Sequence, residues 1–274
     1  MGRRIVLGLV LAIAVVAFTY FSGEEQTVPI TGRQQRVAMS DAQQQELGLQ
    51  VFEQTLAEEG EKVITSGDQY EMVRRVSERI ARVGAVDKPE FDWQFALVDR
   101  PEANAFCLPG GKIVVFTGLL DVATTDDELA TVVGHEVAHA VAEHGAERIF
   151  REELTNRAVA AASGAFADDP ARYTQIAGLL GAGAQVGLSL PWGREQESES
   201  DHIGLIYMAR AGYEPEAAIT FWQKMSKQAG GQRPPEYLST HPSGETRVRQ
   251  IREWLPEAQR ERRQDDAVES ELES

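Results

Sequence analysis

Apolar and polar positions divide the chain into stretches of distinct character. Arg3 and Arg4 lead into an uncharged apolar run from Ile5 to Phe21, and Glu24 and Glu25 follow it. The run is short for a membrane-spanning helix and long for a signal core, and it ends without a clear small-x-small cleavage site. Residues 1–21 therefore predict a membrane anchor or signal segment, with the retained anchor favoured. The basic flank places everything after Phe21 on the far side of the membrane. Residues 22–38 are polar and aperiodic, contain Pro29 and Gly32, and read as a linker.

From Ser40 the period becomes helical. Ser40-Asp41-Ala42-Gln43 forms a capping box ahead of Leu47, Leu49, Val51, Phe52 and Leu56, and a second helix is predicted over 69–83. Residues 91–98 and 104–117 are rich in aromatic and β-branched side chains, and Pro109-Gly110-Gly111 interrupts the second stretch, which reads as a strand followed by a hairpin. A second capping box, Thr125-Asp126-Asp127-Glu128, starts a helix predicted to run to about Phe150, its apolar face built from Ala130, Val133, Val137, Ala140 and Val141. The Ala- and Gly-rich stretch 158–190 is broken by Asp168, Asp169 and Arg172 into pieces too short to span a membrane, and reads as a helical hairpin. Helices follow from Pro191 to Gly212, over 215–227, and around Arg247, Val248, Ile251 and Trp254. The pattern predicts a predominantly helical α+β domain over 39–256 with a small sheet, and a charged, disordered tail over 257–274.

The helix after Thr125 carries Gly134-His135-Glu136-Val137-Ala138-His139, the H-E-x-x-H pattern. Residues four apart stand one turn above each other, so His135 and His139 offer two imidazoles to one metal ion, and Glu136 can act as general base toward a water on it. Gly134 inside a helix costs about one kcal/mol, which suggests that another backbone or the metal passes close. A third histidine ligand in the pattern H-E-x-x-H-x-x-G-x-x-H would fall on Gly145. His144 lies one position short of it, on the far side of the predicted helix, and is expected to have a surface or supporting role.

The third ligand is sought in Arg194-Glu195-Gln196-Glu197-Ser198-Glu199-Ser200-Asp201. Glu197 and Asp201 share a helix face, and Glu195 and Glu199 lie about a hundred degrees or more round the helix from that line. Glu197 is assigned to the metal, with Asp201 beside it as a supporting carboxylate or proton donor. His241, before Pro242, reads either as a group reaching the open metal position, where it steadies an oxyanion or blocks the metal, or as a plain structural histidine. Asn104, Ala105, Phe106 and Cys107 are candidates for a sheet edge that holds substrate as an added strand; the alternative is a hairpin that only packs against the helices.

Composition narrows the partners. Forty-three acidic against twenty-seven basic residues give a formal charge of −16, which repels a phosphate backbone and argues against nucleic acid. Cys107 is the one cysteine, so no internal disulfide and no Cys-rich metal site can form, and it reads as a small apolar residue on a strand.

HEVAH, the later R-x-x-E-x-x-x-D, NAFCLPGGK and STHP, in that family's arrangement, resemble the membrane-associated zinc metallopeptidases that include HtpX, BepA and the mitochondrial Oma-type proteases. The similarity covers roughly residues 40 to 255. It implies a zincin-like metallopeptidase domain of gluzincin type that binds one Zn2+ per chain through His135, His139 and Glu197, with Glu136 as base and Asp201 behind the ligands. Gly193 and Ser200 stand where such proteins often carry Ser and Ala. The resemblance implies a single peptidase domain tethered at the periplasmic side of a bacterial envelope and acting on unfolded or misassembled polypeptides. A chaperone or assembly factor that keeps this fold and acts by binding is the alternative.

Overall fold

A computed structural model describes residues 2–164, 174, 178, 190–229, 237–241 and 244–272. In chain order the elements are α1 (Gly2–Ser22), β1 (Glu24–Thr27), β2 (Gln34–Val37), α2 (Asp41–Glu59), β3 (Val63–Ile64), α3 (Asp68–Asp87), β4 (Gln94–Val98), β5 (Ala105–Leu108), β6 (Lys112–Phe116), α4 (Thr117–Leu120), α5 (Asp126–Val141), α6 (His144–Gly164), α7 (Leu190–Arg210), α8 (Ala217–Ala229), α9 (Tyr237–Thr240) and α10 (Glu245–Leu272). They form two compact units, one of Met1–Val28, Gly32–Ser40 and Glu143–Gln196, the other of Pro29–Thr31, Asp41–Ala142 and Glu197–Ser274.

In the first unit α1 runs along α6: Arg157 donates to the Thr19 hydroxyl at 3.2 Å, and a Cβ on Gly23 would meet the Phe150 ring at 2.5 Å. Among the described residues no helix is long and apolar enough to cross a membrane. Residues 22–38, read as a linker, instead carry the antiparallel pair β1–β2, whose register runs from Glu24↔Val37 to Thr27↔Gln34. Most of the hairpin read from 158–190 lies outside the described residues.

The second unit is built on a four-stranded sheet of order β3-β4-β6-β5. β5 and β6 form the hairpin read from sequence. Its turn has Gly110 and Gly111 at φ 77° and 81°, a region that favours glycine. β4 lies parallel to β6, with Gln94↔Lys112 through Val98↔Phe116 in register. Side chains alternate faces along a strand. Ala96, Val98, Val114 and Phe116 pack with Phe52 and Leu56 of α2, while Leu97, Ile113 and Val115 are equally buried toward α3 and α5. Cover on both faces explains why β6 is apolar almost without a break. The outer strand β5 is at the edge and packs against α5.

α5 begins at its predicted cap: Thr125 accepts the Glu128 N–H at 3.3 Å. The Glu128 carboxylate takes the Thr124 N–H and the Lys224 ammonium rather than closing the reciprocal box. The helix stops at Val141, short of the predicted Phe150, because Glu143 takes the left-handed conformation at φ 53° and a new helix opens at His144. His144 is buried in that next helix, which corrects the surface position inferred from a continuous α5. The tail is also corrected: α10 continues through Leu272, Ala258 is fully buried, and Glu261 pairs with Arg210 at 2.8 Å.

Candidate metal centre

Helix α5 enters the core with every residue from Glu128 to Ala138 buried. His135 and His139 stand one turn apart on it, and Glu197 and Asp201 one turn apart on α7. The two helices meet where neither has a side chain: a Cβ on Gly134 would lie 2.9 Å from the Gly204 carbonyl oxygen, and one on Gly204 would lie 2.8 Å from His135 N. The close approach expected at Gly134 is thus made by the backbone of Gly204. It sets the carboxylates of α7 against the imidazoles of α5.

His135 Nε2 lies 3.1 Å from His139 Nε2 and 3.1 Å from His241 Nδ1. Glu197 carboxylate oxygens lie 3.4 Å from His135 Nε2, 3.3 Å from His139 Nε2 and 2.9 Å from His241 Nδ1. One donor atom from each of His135, His139, Glu197 and His241 therefore falls within 4.8 Å of the other three. The donor set fits a divalent cation on charge as well as position. Glu136, Glu197 and Asp201 supply three carboxylates around one guanidinium, that of Arg247, so a doubly charged ion among neutral imidazoles leaves the buried cluster neutral.

Asp201 lies behind His135. Its Oδ1 is 2.9 Å from His135 Nδ1, which leaves Nε2 toward the donor group, and it accepts from Arg247 Nη2 at 2.6 Å. The Arg247 guanidinium carbon lies over the Trp222 ring, 3.4 Å from its centroid. Burial and the Arg247 charge disfavour a proton on His135, but hydrogen bonds to Asp201 and Glu197 outweigh them and push its pKa up to about 9. Burial works against an ionised Glu197, yet the three histidines hold its carboxyl well below the usual range. A cation bound here displaces protons, and its affinity falls as pH falls.

Glu136 lies outside the group of candidate donor atoms. Its Oε1 accepts from the Tyr237 hydroxyl at 2.7 Å and lies 3.5 Å from His241 Nε2. Tyr237 and His241 sit one turn apart, with the His241 N–H on the Tyr237 carbonyl and the rings stacked at 4.4 Å. Pro242, read as fixing the His241 loop, lies outside the described residues. On β5, burial and then the Glu136 charge push the Cys107 thiol up. Asn104 caps the strand by accepting the Ala105 N–H at 3.0 Å, and Phe106 turns toward Phe116 on the α2 side.

The structure thus brings together His135, His139, Glu136, Glu197, Asp201 and His241, and leaves His144 in α6. Two groups at the centre were not read as part of it. Arg247 was assigned to a helix face, and Tyr237 passed unnoticed although it stands one helical turn before His241.

The profile of peptidase family M48 matches residues 68–255. The mitochondrial metalloendopeptidase OMA1 of Schizosaccharomyces pombe is 34% identical over 251 residues, covering 90% of this chain and 71% of that protein. The OMA1 metalloendopeptidase of Homo sapiens is 30% identical over 249 residues, and the β-barrel assembly-enhancing protease of Escherichia coli K12 is 31% identical over 166. The chain spans about half of the human protein (47%) and a third of the bacterial one (34%). These similarities agree with the resemblance carried by HEVAH, NAFCLPGGK and STHP. With its α+β, mostly helical architecture and a histidine-rich group able to hold a metal, the chain belongs to peptidase family M48 and is a metallopeptidase.

Proposed function

We propose that the chain is a zinc-dependent endopeptidase of the cell envelope that cuts unfolded or misassembled polypeptides. The observation that carries this reading is the convergence of His135, His139 and Glu197 beside the buried Glu136. Mixed imidazole and carboxylate donors suit Zn2+ better than the harder, all-oxygen cations. Bound there, zinc supplies Lewis acidity to a peptide carbonyl and to water. Glu136 accepts the proton of the attacking water and returns it to the leaving nitrogen. Asp201 fixes the tautomer and orientation of His135 through its 2.9 Å hydrogen bond. His241, whose Nδ1 falls among the candidate donor atoms, would hold the cation as a fourth ligand and would yield that position to substrate.

Substrate is held as an added strand along β5, from Asn104 to Cys107. This strand is paired on one side only among the described residues and packs against α5, the helix that carries Glu136. Attachment to a membrane at the periplasmic face of a bacterial envelope is supported by the Ile5–Phe21 run and by Val10, Ile13, Phe18 and Phe21, which α1 leaves exposed. Alkaline extraction of membranes tests it, and recovery of the full chain in the soluble fraction refutes it.

The test of the chemistry is Glu136→Gln. Metal content should match wild type while cleavage of an unfolded protein is lost, and chelation of the wild type should abolish the same cleavage. Full activity in the variant refutes the reading.

A further inference from the structure

We infer that Tyr237 is a positioning residue that acts through Glu136, an inference that rests on the reading of Glu136 as the base. Tyr237 is completely buried, yet it carries a hydroxyl, and the group facing that hydroxyl is Glu136 Oε1 at 2.7 Å. Its ring is clamped. Trp222 stacks on it at 5.9 Å and 27°, His241 at 4.4 Å and 25°, and its backbone N–H is tied to the Ala103 carbonyl at 3.1 Å. A ring held on these sides and by its own backbone has little freedom to swing the hydroxyl off target.

The consequence concerns the two oxygens of one carboxylate. Glu136 is buried and sits on a stem with three rotatable bonds, so an unrestrained carboxylate could turn either oxygen toward the water or neither. The Tyr237 hydrogen bond occupies Oε1, and Oε2 is left to take the proton. The bond is a charge-assisted one, stronger than its neutral counterpart. Its backbone link to Ala103, two residues before β5, also ties the placement of the base to the loop that leads into the proposed substrate strand.

Tyr237→Phe isolates the effect, because it keeps the ring, both stacks and the backbone bond and removes the hydroxyl alone. The zinc-loaded full chain should show a kcat lower by about tenfold, the scale of one hydrogen bond to a charged group, with KM and bound metal unchanged. An unchanged kcat beside an inactive Glu136→Gln overturns the inference, and so does a fall in kcat accompanied by a matching rise in KM or loss of metal. Full activity of Glu136→Gln instead refutes the role of the base itself.

Discussion

Adding one methyl group at Gly204 should separate the two halves of the metal centre. Alanine there places its Cβ 2.8 Å from Gly134 C and His135 N, 0.6 Å inside the 3.4 Å at which ordinary contact begins. The atoms it meets are backbone inside α5, which cannot rotate aside as a flexible side chain can. Two terms oppose each other. Alanine in a helix interior is favoured over glycine by about 1 kcal/mol, while overpacking a tight site costs about 1–3 kcal/mol. The clash wins by up to about 2 kcal/mol, a drop in Tm of up to about 8 °C for a domain of this size. The effect on the site is larger than that on the fold. A shift of 0.6 Å would lengthen the 2.9 Å contact between Asp201 and His135 Nδ1 to about 3.5 Å, beyond hydrogen-bond range, and would withdraw Glu197 with it. Zinc affinity should fall by about 10–100-fold, as when an orienting carboxylate is lost. The assay is competition with a calibrated chelator, beside thermal melting. Gly193→Ala is the control on the same helix: among the described residues a Cβ there meets nothing within 4 Å, so it should leave affinity unchanged and raise stability. If Gly204→Ala melts at or above wild type and binds zinc as tightly, the close backbone approach does not set the site.

Asp201→Asn keeps the side-chain volume but removes the charge shared by His135 and Arg247. Zinc affinity should drop by about 10–100-fold, and an unchanged affinity in the same competition assay would refute the orienting role. His241→Ala should weaken zinc binding while leaving kcat at saturating zinc no lower than wild type, because the side chain occupies a donor position; a lower kcat with metal fully bound would mean that it acts on the transition state instead. In the first unit Glu147 is buried, and although burial raises its pKa, Arg33, Gln196 and Arg151 hold it below its ordinary 4.5. A lowered carboxylate stabilises the fold above the ordinary value and loses that contribution as pH falls through the folded one. Melting temperature should therefore decline on acidification below pH 4.5, and Glu147→Gln should be less stable at neutral pH with a shallower acid decline. An identical acid profile in that variant would discard the assignment.

What could be read along the chain was what repeats within a turn or a pleat. The start of α5 followed from Thr125, the pairing of Glu197 with Asp201 from a separation of four, and the β5–β6 hairpin from Pro109-Gly110-Gly111, because cap, helix face and turn are each specified within a few consecutive residues. The end of α5 was misread because Glu143 adopts φ 53° without the glycine that usually announces it. The linker assignment failed because residues 24–37 have too little periodicity to announce a hairpin, and the tail assignment because its charges are engaged by partners such as Arg210 of α7.

The residue types gathered at the candidate site, their order and the helices that carry them were thus set locally, before any tertiary contact. The parallel register of β4 on β6, the Gly134–Gly204 crossing, and the meeting of Tyr237 with Glu136 or Arg247 with Asp201 were settled only by folding. These contacts join residues about 18 to 100 positions apart, and no periodicity reaches that far. Such pairs form because packing the apolar faces of α5, α7 and α8 leaves one arrangement in which the buried charges find partners, and that arrangement is a property of the folded volume.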